Sequence, residues 1–215
     1  IHDMTDRRKA EKLKQEVMAM ITHDLRTPLS TINNVLDFFE NGTSGTFDAK
    51  GRNYVLMAKR NADRMVALIN DLLDIEKIKS GMMQLEIDTV SLNRCFSNCQ
   101  TASQGLAEEM SVKLEFEPTD ITVAADEQRL DRVLSNLVAN AIKYSPKGGT
   151  VRVSATQQRN ATTVRVEDQG PGIPPDMLEA VFERFQQVGG SAKSKGGSGL
   201  GLTICKAIVE MHGGK

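Results

Sequence analysis

Tryptophan is absent from this chain of 215 residues, and aromatic residues make up only 4% of it. Hydrophobic residues still reach 40%, so packed interiors can form, but they must be aliphatic and rich in the ten methionines. Cysteine is sparse: Cys95, Cys99 and Cys205 are the full set. An odd, small number excludes a disulfide framework and fits a reducing compartment. Cys95 and Cys99 are four apart and can share a helix face; with no histidine nearby they suit small buried positions better than a metal site. No run of about 18 apolar residues occurs, so no segment reads as a membrane-spanning helix. An excess of one charge is also lacking. Lys and Arg number 27 against 28 Asp and Glu, a net charge of −1, which gives no support for binding nucleic acid or an anionic membrane surface. The chain opens at Ile1 without an initiator Met or a signal-peptide pattern and reads as a fragment of a larger protein.

What is present divides into two patterns. Residues 1 to about 82 read as helix, turn, helix. Met18, Leu25, Leu29, Ile32, Leu36 and Phe39, with Thr22 in the one polar slot, step by three and four, the seam of a bundle. Residues 41–45, Asn-Gly-Thr-Ser-Gly, signal a turn. A second seam follows at Tyr54, Ala58, Asn61, Met65, Leu68, Leu72 and Ile75. One hairpin cannot cover its own apolar stripe, whereas two can as a four-helix bundle, so a homodimer is expected. Asn61 either specifies register or lies exposed at the seam edge. Upstream, Ala10, Leu13, Val17 and Met20 follow a different phase, and the mismatch falls within a turn of His23. Such a shift alters supercoiling locally, or it simply widens the apolar face. Residues 1–17 read as a connecting helix from an upstream domain and 18–82 as the hairpin.

From residue 83 the pattern becomes mixed. Residues 84–90 alternate like a strand, 92–109 are helical, 112–117 alternate again, and 121–125 form a short apolar strand. Asp126 is a candidate N-cap for a helix over 127–144. Residues 150–155 and 162–167 read as a β-hairpin turning through Arg159 and Asn160. A loop-rich stretch then leads to a last helix over about 200–211. The expectation is a mixed α/β sandwich with helices on one face of a mixed sheet.

Several segments carry chemistry. His23 sits one residue past the seam slot of Thr22, at the edge of the stripe. Neutral imidazole is a competent nucleophile, and the neighbouring Asp24 can raise its basicity and stabilise the cation that develops. Taken alone, the segment fits an ordinary surface histidine equally well. Pro28 inside the pattern removes a helical hydrogen bond and should bend the helix; Thr27 shares the face of His23, four residues on. Asn136 and Asn140 lie one turn apart, with Lys143 in the next turn. Amide oxygens suit a hard ion such as Mg²⁺ and the lysine suits phosphates, or the pair are surface amides. Asp168 ends a strand and enters Gly170-Pro171-Gly172-Ile173, where a carboxylate can accept from an exocyclic amine and glycine permits close backbone approach. This can also mark only a turn. Residues 196–201, Gly-Gly-Ser-Gly-Leu-Gly, open a helix whose N–H groups favour phosphate, or form a flexible linker. Phe182-Glu183-Arg184-Phe185 places two apolar anchors around a cation.

Together these residues closely resemble a bacterial sensor histidine kinase. The resemblance covers nearly the whole chain through five ordered motifs: His23-Asp24-Leu25-Arg26-Thr27-Pro28-Leu29; Asn136 through Tyr144; Asp168-Gln169-Gly170-Pro171-Gly172-Ile173; Phe182-Glu183-Arg184-Phe185; and Gly197-Ser198-Gly199-Leu200-Gly201-Leu202. It implies a cytoplasmic catalytic core: a dimeric four-helix bundle for histidine phosphotransfer, followed by a Bergerat-type ATP-binding domain over 83–215. It implies that His23 accepts a phosphoryl group from ATP, assisted by Asp24, and passes it to an aspartate of a response-regulator receiver domain. By the same resemblance Asn140 would ligate Mg²⁺, with Asn136 and Lys143 near the phosphates and Tyr144 beside the nucleotide. Asp168 would read the adenine amino group, with Gly170, Gly172 and Ile173 shaping its pocket. Arg184 would approach the terminal phosphates, and Gly197, Gly199, Leu200 and Gly201 would hinge and cradle them. Thr27 matches the family's phosphatase position, and residues 1–8 resemble the linker after a PAS sensor domain. The chain stops at Gly213-Gly214-Lys215, before the last strands usual in this fold. Two other readings are an ATPase of the same nucleotide fold without phosphohistidine, and a degenerate dimeric scaffold.

Overall fold

The structure is a computed structural model, and it describes residues 29–30, 32–37, 39, 49–159, 161–183, 186 and 199–215. The chain divides into two compact units, Ile1–Met83 and Gln84–Lys215.

In the first unit, residues 29–30, 32–37 and 39 are helical, and helix α1 runs Ala49–Lys79. Asn33 Nδ2 donates to Asp63 Oδ1 at 2.8 Å, and Lys59 Nζ pairs with Asp37 Oδ1 at 2.6 Å. Four residues forward on one helix correspond to four back on the other, so the two run antiparallel. Lys59 and Asp37 are both partly exposed, so their pair aligns the helices more than it stabilises them. α1 ends where Gly81 adopts φ +67°, a left-handed conformation that glycine reaches without a Cβ penalty. There Gly81 N donates to Ile78 O and Met82 N to Lys77 O.

The seam expected on this helix is buried within one chain only toward its C-terminal end, at Ile75, with Leu68 and Leu72 half-buried. Leu29, Val55, Ala62 and Ile75 are the buried apolar positions here, whereas Tyr54 is 70% and Met65 49% exposed. Ala58 and Asn61 are exposed as well. In the first half of the helix the hairpin covers Val55 and Ala62, one residue along from Tyr54 and Asn61. Asn61 Nδ2 donates to Met57 O at 2.9 Å, so it is satisfied within its own helix at an exposed edge.

The second unit contains β1 (Asp88–Ser91), α2 (Leu92–Met110), β2 (Lys113–Phe116), β3 (Thr122–Ala125), α3 (Glu127–Tyr144), β4 (Thr150–Gln158), β5 (Ala161–Glu167), two 3₁₀ turns (Pro175–Met177 and Ala180–Phe182) and α4 (Gly201–Met211). The mixed sheet that was expected is formed by β2, β4 and β5, and among the described strands β1 and β3 pair separately. β1 pairs antiparallel with β3, while β2 runs parallel to β4 and β4 antiparallel to β5. The separation falls at residues 117–121, where Pro118 has no N–H to continue a ladder. The strand expected over 84–90 pairs only from Asp88, because its partner β3 is four residues long.

One core lies between the helices and the three-stranded sheet. Phe96, Cys95, Cys99 and Ala107 from α2 meet Leu134, Val138, Ala141 and Ile142 from α3 over Val151 and Val153 of β4. Phe96 and Phe116 pack edge to face at 5.9 Å, the geometry their ring quadrupoles favour. The alternation on β4 is what directs the sheet, with Val151 and Val153 inward and Arg152 outward to Glu115 at 3.0 Å.

All three cysteines are free and buried. Burial, reinforced by Asp131, pushes the Cys95 thiol up to about 12, and burial likewise raises Cys99. Native protein is therefore expected to react with a thiol-specific chromogenic reagent about a hundredfold more slowly than protein in guanidinium, since reaction needs local opening. Equal rates in the two conditions would contradict this packing.

Candidate nucleotide site

The site is built on α3. Asp126 caps the helix, its carboxylate accepting from Arg129 N at 3.1 Å, as its sequence position suggests. That fixed start, with Val133, Leu134, Val138, Ala141 and Ile142 turned into the core, leaves Asn136, Asn140, Lys143 and Tyr144 half-buried outside it. The helix ends at Ser145, whose N–H still reaches Ala141 O.

Two glycine segments meet this helix at different points. A Cβ on Gly201 would lie 3.6 Å from Asn136 Oδ1, so the first residue of α4 rests against the Asn136 amide. Gly199 just before it has φ +68°. Leu200 between them is 2% exposed. It was expected among the nucleotide contacts, but its side chain anchors the start of α4 in the interior, leaving only its backbone for a ligand.

At the other end, Asp168 follows β5 and is exposed. Its Oδ1 accepts the Gly170 N–H at 2.7 Å, a local turn that aims the carboxylate. Oδ2 has no partner among the described residues. A Cβ on Gly170 would lie 2.9 Å from Tyr144 O and 2.7 Å from Asp168 Oδ1. Gly170 is thus required first by the protein's own packing, where sequence suggested approach to a ligand. Gly172 takes φ +73°, and Ile173 stands 43% exposed beside it. Lys143 Nζ lies 5.3 Å from the Tyr144 ring centroid, a cation–π distance.

His23, Asp24, Thr27, Arg184 and Gly197 lie outside the described residues. Phe182 was expected as an apolar anchor, yet it is 38% exposed, and Val181 at 6% is the buried residue there. The Phe182 ring instead carries Lys206 Nζ at 5.8 Å.

Two positioning residues carried no local signal in the sequence. Gln169 Oε1 accepts from Thr150 N at 3.0 Å, tying the Asp168 turn to the start of β4. His212 Nε2 accepts from Asp126 N at 3.0 Å. Neither contact could be found without knowing which distant elements pack together.

Among the described residues, no group of three or more His, Cys, Asp or Glu side chains could hold a metal ion. The oxygen donors at hand are the amides of Asn136 and Asn140, a hard donor set that fits an ion sharing its shell with phosphate and water. Among the described residues, no helix is long and apolar enough to cross a membrane.

The family model described as histidine kinase-, DNA gyrase B-, and HSP90-like ATPase matches residues 125–215. The His Kinase A (phospho-acceptor) domain matches residues 13–81. Sensor histidine kinase WalK of Bacillus subtilis (strain 168) is 32% identical over 219 residues, covering 100% of this chain and 36% of that protein. The chain therefore spans about a third of the length of the curated relatives it matches. Full-length ShkA, solved in complex with AMPPNP, is similar with a TM-score of 0.74 at 27% identity, over 92% of this chain and 41% of that one. The mycobacterial sensor histidine kinase MprB is similar with a TM-score of 0.53 at 34% identity, over 59% of this chain and 80% of that one. With a phospho-acceptor segment followed by an ATPase segment built on α3, this chain belongs to the sensor histidine kinase family.

Proposed function

We propose that this chain is the kinase core of a two-component system: it phosphorylates His23 from Mg-ATP and passes the group to an aspartate of a response-regulator receiver domain. The observation that carries this reading is the meeting of both glycine segments on α3, Gly201 against Asn136 and the Asp168–Gly170 turn against Tyr144. Such an arrangement offers a base-reading carboxylate at one end of a pocket and a helix N-terminus for phosphates at the other. The nucleotide analogue bound to ShkA supports the ligand class.

In this reading Asp168 accepts from the adenine amino group, and Tyr144 lies beside the base. Lys143, Arg184 and the backbone of Gly197, Gly199 and Gly201 bear phosphate charge. Asn140, with Asn136 beside it, holds Mg²⁺, whose role when bound is to neutralise charge developing on the phosphate oxygens. The unprotonated ring nitrogen of His23 attacks the γ-phosphorus in line. The bond from that phosphorus to the β–γ bridging oxygen breaks, ADP leaves, and the proton on the other ring nitrogen passes to Asp24. Thr27 orients water for hydrolysis of the regulator's phosphoaspartate.

The bundle is completed by a second copy. Ile32, Val35, Tyr54, Met57 and Met65 are large, exposed and apolar in one chain, an uncovered stripe of the kind that marks an interface. We assign phosphotransfer and dimerisation to 18–82, nucleotide binding to 83–215, and the cytoplasm as the compartment.

Incubation with γ-labelled ATP and Mg²⁺ tests the reading. Acid-labile, base-stable label is expected on the unsubstituted chain and absent from His23→Gln. Label that survives in His23→Gln sinks the acceptor assignment.

A further inference from the structure

Helix α4 is bound to α3 in a definite register. Its first residue, Gly201, rests against Asn136; Cys205 Sγ donates to Val133 O at 3.8 Å; and His212, just past its end, reaches Asp126. Each step forward on α4 is a step back on α3. One end of α4 therefore lies at the nucleotide site and the other at the cap of α3, about 16 Å away.

The far end is a closed hydrogen-bond joint. His212 Nε2 accepts the Asp126 N–H at 3.0 Å, and Nδ1 lies 2.8 Å from Ile208 O. An amide can only donate and a carbonyl can only accept, so the ring is neutral with its proton on Nδ1. Asp126, 7% exposed, uses both carboxylate oxygens: Oδ1 accepts from Arg129 N and Oδ2 from Glu86 N, each at 3.1 Å. Glu86 belongs to the segment between α1 and β1, at the entry to the second unit. The joint thus gathers the start of α3, the end of α4 and that entry segment.

We propose that His212 is a positioning residue for phosphoryl transfer, coupling the glycine-rich start of α4 to the segment that joins the two units; this rests on the function proposed above. α4 acts as a strut. Ordering of Gly199–Gly201 around phosphate is passed along the helix to His212, and through Asp126 to Glu86. Asp126 remains the cap without His212, so the capping of α3 and the coupling can be separated.

Hydrogen–deuterium exchange of peptides covering residues 84–90, with and without Mg-AMPPNP, tests this on the whole chain, on His212→Gln and on His212→Leu. A glutamine amide oxygen can accept the Asp126 N–H; leucine cannot. Nucleotide is expected to slow exchange there about threefold in the unsubstituted chain and in His212→Gln, and to leave it unchanged in His212→Leu. The autophosphorylation kcat of His212→Leu should fall about tenfold with KM for ATP within about twofold, while His212→Gln stays near the original. Nucleotide-dependent protection that persists in His212→Leu, or is missing from the unsubstituted chain, overturns the coupling, as does a raised KM at unchanged kcat. The exchange arm needs only nucleotide binding, so a lack of phosphohistidine in the unsubstituted chain would count against the proposed function and not against the coupling.

Discussion

Gly170→Ala is expected to weaken nucleotide binding about a hundredfold, because the added methyl has no room and its neighbours cannot all yield. The new Cβ would stand 2.9 Å from Tyr144 O and 3.2 Å from Tyr144 C. These are backbone atoms at the end of α3, held by the buried Ala141 and Ile142 of its last turns. The third neighbour, Asp168 Oδ1 at 2.7 Å, is a side-chain atom and can move, but it is the acceptor of the Gly170 N–H. Relief therefore comes from shifting the turn away from Tyr144, which carries the Asp168 carboxylate out of position. A stability loss of about 1–3 kcal/mol should accompany the shift. Gly172→Ala supplies the control. It has φ +73° and nothing within 4 Å of the added atom, so its cost is backbone strain of about 1–2 kcal/mol with no displacement of Asp168. Calorimetric titration of both variants with AMPPNP checks the contrast. Affinity in Gly170→Ala equal to the original, or lower in Gly172→Ala than in Gly170→Ala, would refute the packing argument.

Asp126→Ala should destabilise the second unit by about 2–3 kcal/mol near neutral pH, combining the loss of a helix cap with a Glu86 N–H left without its acceptor. The effect carries a pH signature. Burial pushes the Asp126 carboxyl up, but the hydrogen bonds from the Arg129 and Glu86 amides outweigh it, helped by the charge of Arg129, so the net shift is downward. A carboxyl depressed in the folded state contributes stability that is fully present above its unfolded value and is lost as pH falls through its folded value. The stability gap between the original and Asp126→Ala is therefore constant near neutrality and narrows below about pH 4. Urea unfolding followed by hydrogen exchange of α3 peptides at a series of pH values measures this. A gap that is unchanged as pH falls below the depressed value, or that narrows between pH 5 and 7, is inconsistent with this joint.

Helix α3 shows how much could be read in advance. Its cap at Asp126, its span to Tyr144 and the polar face of Asn136 and Asn140 are legible because each depends on residues within one or two turns. The hairpin of β4 and β5 is legible for the same reason, through alternation and a polar turn. The pairing of the other strands was not. Alternation in residues 84–90, 112–117 and 121–125 reports a strand but not its partner, and pairing β2 with β4 across the intervening β3 and α3 is a long-range choice. The seam of α1 was legible at Ile75, yet the burial of Val55 and Ala62 in place of Tyr54 and Asn61 depends on the antiparallel register set by Asn33 with Asp63 and Asp37 with Lys59.

The site divides along the same line. Local sequence by itself determined the residue types: a histidine beside a carboxylate, two amides one turn apart, and glycines at Gly170, Gly199 and Gly201, because chemistry and backbone freedom belong to single residues. Tertiary structure alone decided that Gly201 rests on Asn136, that Gly170 must be small to clear the Tyr144 carbonyl, that Leu200 turns inward, and that His212 closes on Asp126. Those contacts join residues dozens of positions apart, and they exist only because α3, α4 and the β5 turn are packed around one core. No periodicity in the chain encodes a distance between elements that close-packing has yet to bring together.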